Sequence, residues 1–494
     1  MQNNSKPHVV VIMADQLRYD ALGEHTPHLN ELQSESIDWS RAYCASPLCV
    51  PARGAFFTGK YPNETGALHN AKIVQEKQYG MVGENHSSLY ELAEEEWDSW
   101  HTGKMDFRTE KQIEKLPDTK TNWLPLEPRY YHYLEEHGKR RPGGESFKGR
   151  VPELAYGRIT RTQVVSTPEI GCYEEQLDYF YDGFILKDTL HALKNRNPNK
   201  PLMLNAMFFA PHPPIDIPEP WFSLIDDVKL PENVGIWGKN QSPLQLYNIT
   251  GNMGASVSRA RWQEIWKAYL GYVALLDHCV GEVIAELKRQ GIYEDTLLIF
   301  TSDHGEMLGS HRLWQKMCMY EESIRTPLWM KFPEKHNFKP RVINKLVSSI
   351  DIMPTLCDYL KLNKAPEDMS GISLMPFIET ETEEYDEKDT RSKQRSIFVQ
   401  YDGNGSSSNF SRAIVQEDYK LIVDWFKDEL YIELYALQED MQELTNLAFD
   451  EEQNERLDSM LEQLRAHMRK TGDQLSLPVN ARENFQTVYR EFAQ

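Results

Sequence analysis

Val9-Val10-Val11-Ile12-Met13, closed by Ala14-Asp15, is an unbroken run rich in β-branched residues, with no polar alternation. A strand with one wet face would alternate, so this run reads as a parallel strand buried on both faces. Leu297-Leu298-Ile299-Phe300-Thr301 repeats the pattern and ends at Asp303. Leu202 to Phe209 repeats it again and is followed by Ala210-Pro211-His212-Pro213-Pro214. Three such strands, each delivering polar residues just past its C-terminal end, predict an open α/β sheet with its site along that edge. The longest apolar periodicity lies before the strand at Leu297. Trp262, Ile265, Trp266, Tyr269, Val273, Leu276, Val280, Val283, Ile284 and Leu287 recur at three- and four-residue steps. They predict a helix over 259–290 stopped by Gly291, a crossover between parallel strands whose aromatics pack in the core.

Outward from this frame the pattern weakens. Residues 106–172 are rich in Pro, Gly and charge and read as an elaborated loop over the site, where specificity would reside. The charged stretch 379–393 reads as a linker. Beyond it come short strand candidates at 396–401, 411–415 and 419–423 and a charged helix over 451–470. The expected division is a catalytic domain over 1–380, a linker over 381–395 and a small α+β subdomain over 396–494.

The chain has 494 residues, with 54 basic and 75 acidic side chains, a formal charge of −21. That balance argues against nucleic acid as a partner and gives no long-range pull on an anionic substrate, which must then find a local basic pocket. No apolar run reads as a membrane span, and Met1 to Lys6 is polar, so the expectation is a cytoplasmic chain without membrane contact; removal of a leader would instead make it secreted or periplasmic. The six cysteines show no disulfide-like spacing and read as mostly reduced thiols.

One cysteine stands apart. Cys49-Val50-Pro51-Ala52-Arg53 runs into Gly54-Ala55-Phe56-Phe57-Thr58-Gly59-Lys60. Pro51 favours a helix start, and Arg53, one turn after Cys49, could offer its fork of donors to an oxyanion. The plain alternative is a buried thiol beside an ordinary helix start.

The pattern Cys-x-Pro-x-Arg resembles the signature of the sulfatase family. Met13-Ala14-Asp15-Gln16, Thr301-Ser302-Asp303-His304-Gly305-Glu306, Lys316 with Tyr320-Glu321-Glu322-Ser323-Ile324-Arg325-Thr326-Pro327, and the C-terminal Asp418-Tyr419-Lys420-Leu421-Ile422 and Glu433-Leu434-Tyr435 resemble further family blocks, in order. The resemblance implies an alkaline phosphatase-like fold: a mixed, mostly parallel sheet flanked by helices, with a small C-terminal α+β subdomain. It implies that a maturation enzyme oxidises Cys49 to formylglycine, whose hydrate attacks the sulfur of a sulfate ester and later expels sulfate to restore the aldehyde. It implies a divalent cation, Ca2+ with Mg2+ or Mn2+ as alternatives, held by Asp15, Gln16, Asp303, His304 and the residue at 49. Gln16 could instead be a hydrogen-bonding neighbour of the ligands. Arg53 would support the formylglycine and the cation, Lys104 and Lys316 would hold sulfate oxygens, and His212 would protonate the leaving group. Asn70, in Gly66-Ala67-Leu68-His69-Asn70, resembles an asparagine that touches the transferring group in choline-sulfatase-like and phosphonate monoester hydrolase relatives.

In one place the chain departs from the pattern. The family commonly has Lys-x-His where this chain has Lys104-Met105-Asp106. Asp106 would either replace that histidine as a base, if burial raises its pKa, or bind the substrate; His69 and His101 are weaker candidates for the base. The expected substrate is a small sulfate ester or sulfated saccharide, for instance one derived from a glycosaminoglycan. A phosphonate or phosphate mono- or diesterase, a choline-sulfatase, and a silent relative that binds sulfated ligands are the competing readings.

Overall fold

The apolar runs at 9–13, 202–209 and 297–301 lie side by side at the centre of an eight-stranded sheet. In this computed structural model, residues 6–70, 80–155, 158–363, 365–380, 395–404, 409–427 and 429–490 are described. The sheet order is Arg341–Ser348, Ile37–Tyr43, Leu328–Lys331, Thr296–Ser302, His8–Asp15, Leu202–Pro211, Asp98–Gly103 and Asn122–Pro125. His8–Asp15 is parallel to both neighbours, and only Leu328–Lys331 runs antiparallel to the strands beside it. The sheet is therefore mixed and mostly parallel.

The absence of polar alternation in the first strand has its cause in the layers. Val10 and Ile12 enter the core on the side of the long helix, Arg259–Arg289. Val9, Val11 and Met13 enter the opposite core, with Phe56 and Phe57 of the helix Cys49–Thr58. Each fully buried side chain of this size contributes about 1.5–3 kcal/mol, so both faces hold the strand in register. That register pairs Ala14 with Ser302 and Asp15 with Pro211, which brings Asp15, Asp303 and His212 out at the same edge.

Arg259–Arg289 follows the predicted helix. Its N-cap Ser258 accepts from Arg261 N, Lys288 and Arg289 close its last turn, and its aromatics are core. It is long and apolar enough to cross a membrane, yet 83% of its most apolar window is buried inside the protein.

The region 106–172 is more regular than its composition suggests. It supplies the edge strand Asn122–Pro125, the helix Arg129–Glu136, a hairpin of Lys148–Ala155 with Arg158–Ser166, and Ile170–Tyr173, which pairs with Ile215–Pro218. These elements are too short to show a period above the surrounding polar residues.

Past residue 395, four strands form an antiparallel meander: Ser396–Tyr401, Asn409–Gln416, Tyr419–Phe426 and Glu429–Ala436. The helices Asn454–Lys470 and Ala481–Tyr489 cover one face. The other face packs on Met307, Leu313, Met317 and Tyr320 of the main body. The last strand and last helix were not anticipated, because buried Glu433 interrupts the apolar pattern of the strand. Most of the expected linker, 381–394, lies outside the described residues.

Candidate active site

The site is assembled by strand ends and one helix start. Cys49 opens the helix Cys49–Thr58, after an extended Leu48 at the N-cap. The free N–H groups and the dipole of that helix end favour negative charge beside residue 49. Val50 N donates to Asn70 Oδ1 at 3.0 Å, so Asn70 satisfies one of those orphan donors. Asp15 ends the first strand, Asp303 and His304 follow Thr296–Ser302, and Lys104 follows Asp98–Gly103.

These residues converge. One donor atom each from Asp15, Cys49, Asp303 and His304 lies within 4.8 Å of the others, and all four residues are buried. Cys49 Sγ is 3.2 Å from His304 Nε2, 3.6 Å from Lys104 Nζ and 3.9 Å from Asp15 Oδ1. Arg53 reaches across with Nε donating to Asp303 Oδ2 and Nη2 to Asp15 Oδ2, both at 3.0 Å. Lys104 pairs with Asp15 and, at 3.1 Å, with Asp106. Burial alone would raise the Asp15 carboxyl, but the surrounding cations, Lys104 foremost, hold it well below the usual range.

Two buried carboxylates, an imidazole and an oxygen at position 49 are a donor set that fits a divalent cation. The unmodified thiol fits less well. Burial first, and then Asp15, push the Cys49 thiol up to about 12, which disfavours the thiolate form. Its environment suits an uncharged hydroxyl made from that cysteine.

Gln16 has a left-handed backbone (φ 67°), a rare conformation for a residue with a side chain. This turns its N–H toward Asp303 Oδ1 (3.1 Å) and its amide between two groups. Nε2 donates to Glu306, and Oε1 accepts from Lys316. Glu306 also accepts from Leu308 N and Gln315 N, so it fixes which end of the amide faces the site. In this arrangement Gln16 hydrogen-bonds beside the four-donor cluster. In the sequence the one signal for Glu306 is a carboxylate two residues past His304.

Lys316 Nζ also lies 3.0 Å from His212 Nε2. His212 Nδ1 is 2.6 Å from Pro213 O and must donate to it, so Nε2 offers a lone pair toward the lysine. Burial, then Lys316 and Lys104, hold His212 well below the usual imidazole range. The same cations that disfavour its proton would favour a bound anion.

Asp106 departs from the raised-pKa condition set for it as a base. Burial pushes it up, but Lys104, Arg53 and Arg108 outweigh burial and hold it below the usual carboxylate range. His101 lies on Asp98–Gly103 with Nδ1 2.7 Å from Tyr90 Oη, and burial pushes it to about 3. A cleft of about 770 Å3 opens beside Lys104, lined by Asp106, Arg108, Gln112, Trp123 and Phe209 among others. The strand end carrying His212 is pinned by buried Asp182, which accepts from Phe209 N and Ala210 N; no periodicity marked that residue.

Comparison with known proteins gives the same picture. Residues 7–362 match the family described as Sulfatase, and residues 309–471 match the one described as N-sulphoglucosamine sulphohydrolase, C-terminal. An arylsulfatase of Clostridium perfringens is 27% identical over 481 residues, covering 92% of each chain. A choline-sulfatase of Rhizobium meliloti is 27% identical over 466 residues, covering 90% of this chain and 82% of its own. Among solved structures, the phosphonate monoester hydrolase of Agrobacterium radiobacter has the same fold, with a TM-score of 0.75 at 22% identity, covering 94% of this chain and 96% of that one.

Proposed function

This chain belongs to the sulfatase family, and from that premise we propose that it removes sulfate from a small sulfated carbohydrate, a saccharide of glycosaminoglycan origin, using formylglycine made from Cys49 and Ca2+. The observation that carries the reading is the buried convergence of Cys49, Asp15, Asp303 and His304, cross-linked by Arg53 and Lys104. The cleft beside Lys104 is of the size that encloses a small ligand, which supports a sugar as the leaving alcohol. The C-terminal match to an N-sulphoglucosamine sulphohydrolase supports the same substrate class.

The aldehyde hydrate would supply a nucleophilic hydroxyl, and the cation, on Asp15, Asp303 and His304, would polarise sulfate oxygens. The rest falls to side chains. Arg53 and Lys104 pair with Asp15, Asp303 and Asp106, so most charge in the pocket is already balanced. A divalent cation would add the positive charge that an anionic ester requires in so acidic a protein. Lys104 and Lys316 donate to the sulfate oxygens as negative charge moves toward the bridging oxygen. Lys316 turns its hydrogen bond from His212 to the anion, His212 Nε2 then takes up a proton from solvent, and it gives that proton to the departing alcohol oxygen as the S–O bond breaks. Asp106 and Arg108 meet the alcohol's own hydroxyl groups in the cleft.

Chain co-expressed with a formylglycine-generating enzyme, with its metal content measured, should hydrolyse an aryl sulfate and at least one of a panel of defined sulfated saccharides. Cys49→Ala should lose turnover while keeping its circular dichroism. Preference for an aryl phosphonate, an aryl phosphate or choline sulfate over every sugar sulfate would overturn the substrate assignment. Full activity of Cys49→Ala would overturn the chemistry.

A further inference from the structure

We propose that a second divalent cation, of the zinc class, binds between His311, Glu322 and Glu443, where the main body meets the C-terminal sheet. His311 lies in the segment after Thr296–Ser302, Glu322 in the short helix Glu321–Ile324, and Glu443 in the turn after Glu429–Ala436. All three are buried, and one donor atom of each lies within 4.8 Å of the others.

His311 and Glu322 are each tied at one atom and open at the other, while Glu443 is engaged at both oxygens. Glu322 Oε1 accepts from Asn233 Nδ2 at 2.5 Å, and Glu443 Oε2 accepts from Glu321 N at 2.8 Å. His311 Nδ1 faces Gln241 Oε1 at 3.2 Å. That amide cannot be reversed, because Oε1 also accepts from Gly238 N while Nε2 donates to Gln245 Oε1 and His311 O. Nδ1 therefore carries the hydrogen, and Nε2 presents a bare lone pair. The ring is clamped flat on Tyr320, with centroids 3.9 Å apart. His311 Nε2 and Glu322 Oε2 are buried with no hydrogen-bond partner. The Gln442 carbonyl, which faces the same ring, adds an acceptor and no donor. The open lone pairs of His311 and Glu322, beside the Glu443 carboxylate, call for a cation or a shared proton between them. Outer contacts that orient each donor are the pattern of metal sites.

The surrounding charge points the same way. Lys420 Nζ pairs with Glu443 Oε1 (2.6 Å) and Glu321 Oε1 (3.0 Å), so one ammonium serves two carboxylates. Arg18 lies 3.7 Å from Glu322 but gives its close contact to Asp20, at 2.6 Å. Burial pushes Glu322 and Glu443 up, and burial and then Lys420 push His311 down to about 3, which leaves its ring a neutral donor of a lone pair. One imidazole with two carboxylates is a nitrogen–oxygen set that Zn2+ accepts. Such an ion would staple the segment carrying Lys316 to the C-terminal sheet.

The test uses the full chain as Cys49→Ala/Asp303→Asn, which removes two donors of the catalytic cluster. It is stripped with chelator, incubated with Zn2+, desalted and assayed by elemental analysis. About one zinc per chain should remain, Tm should rise on reloading, and adding Glu443→Gln or His311→Gln should weaken retention at least about tenfold. A zinc-edge anomalous map of wild-type crystals should place the ion between the three side chains, and it needs no substitution. Absence of retained zinc, or an anomalous peak only at the catalytic cluster, would overturn the proposal and leave the acceptors sharing protons.

Discussion

At position 106 the geometry separates two roles that composition left open. A base must spend part of its time ready to take a proton at the working pH, and a carboxyl held below its usual range by Lys104, Arg53 and Arg108 is a weak one. The same ion pairs make Asp106 a rigid acceptor facing the cleft. Asp106→Asn is therefore expected to lower kcat/KM on a sugar sulfate by about ten- to a hundredfold, the loss of one or two charge-assisted hydrogen bonds, while sparing a small aryl sulfate. Steady-state kinetics on both substrates checks it. A burst of alcohol followed by slow turnover on both would restore the role of base. Arg53 shows how burial sets the size of an effect. Its guanidinium is 1% exposed between two carboxylates, so Arg53→Met should cost about 3–5 kcal/mol in metal-free protein. Added cation should recover part of that loss, read as a Tm difference between chelated and reloaded samples.

The helix Cys49–Thr58 shows what an element's start can do. Asn70 Oδ1 caps Val50 N, so Asn70→Ala should cost about 0.5–2 kcal/mol in chemical denaturation even in protein that was never matured. A residue that only touched substrate would leave that measurement unchanged. Elements were legible where a face was long and uniformly apolar. The strands at 9, 202 and 297 and the helix at 259 needed no tertiary information, because burial on both sides leaves an unbroken run. Asn122–Pro125 and the hairpin of 148–166 escaped notice because four to nine residues at a polar edge carry too little pattern. Glu429–Ala436 escaped because the acid at 433 is buried by partners contributed from Ser242, Tyr320 and Tyr435. The site was legible as residue types at strand ends. What the sequence could not show is what each side chain leans on: Gln16 on Glu306, Asn70 on Val50, His212 on Lys316.

Across the whole molecule, the seam between the main body and the C-terminal sheet is built from buried acids. Burial and then Asp424 push Glu433 up to about 8, and burial pushes Asp182, in the main body, to about 7. A carboxyl with a raised folded pKa contributes stability that is complete below its unfolded pKa, about 4.5 for Glu, and is lost as pH climbs through the folded value. Tm of chelated protein should therefore fall as pH rises from about 4.5 to about 8 and level off above, and in the upper part of that window ordinary carboxylates and lysines do not titrate. Glu433→Gln, which imitates the protonated side chain, should flatten that fall. A Tm that is level across the window in wild type would count against a protonated seam.

The pairing of residues 8–14 with residues 296–302 also sets a clock. The sheet cannot close at its centre until both partners have left the ribosome. At about 5–20 residues per second, the first strand waits roughly 15–60 s for its neighbour. Once closure is complete, Cys49 is 2% exposed and beyond the reach of any enzyme. A maturation enzyme that acts on this thiol must work during that interval, on nascent or unfolded chain. Protein refolded without it should stay a thiol however long it is incubated with the enzyme afterwards.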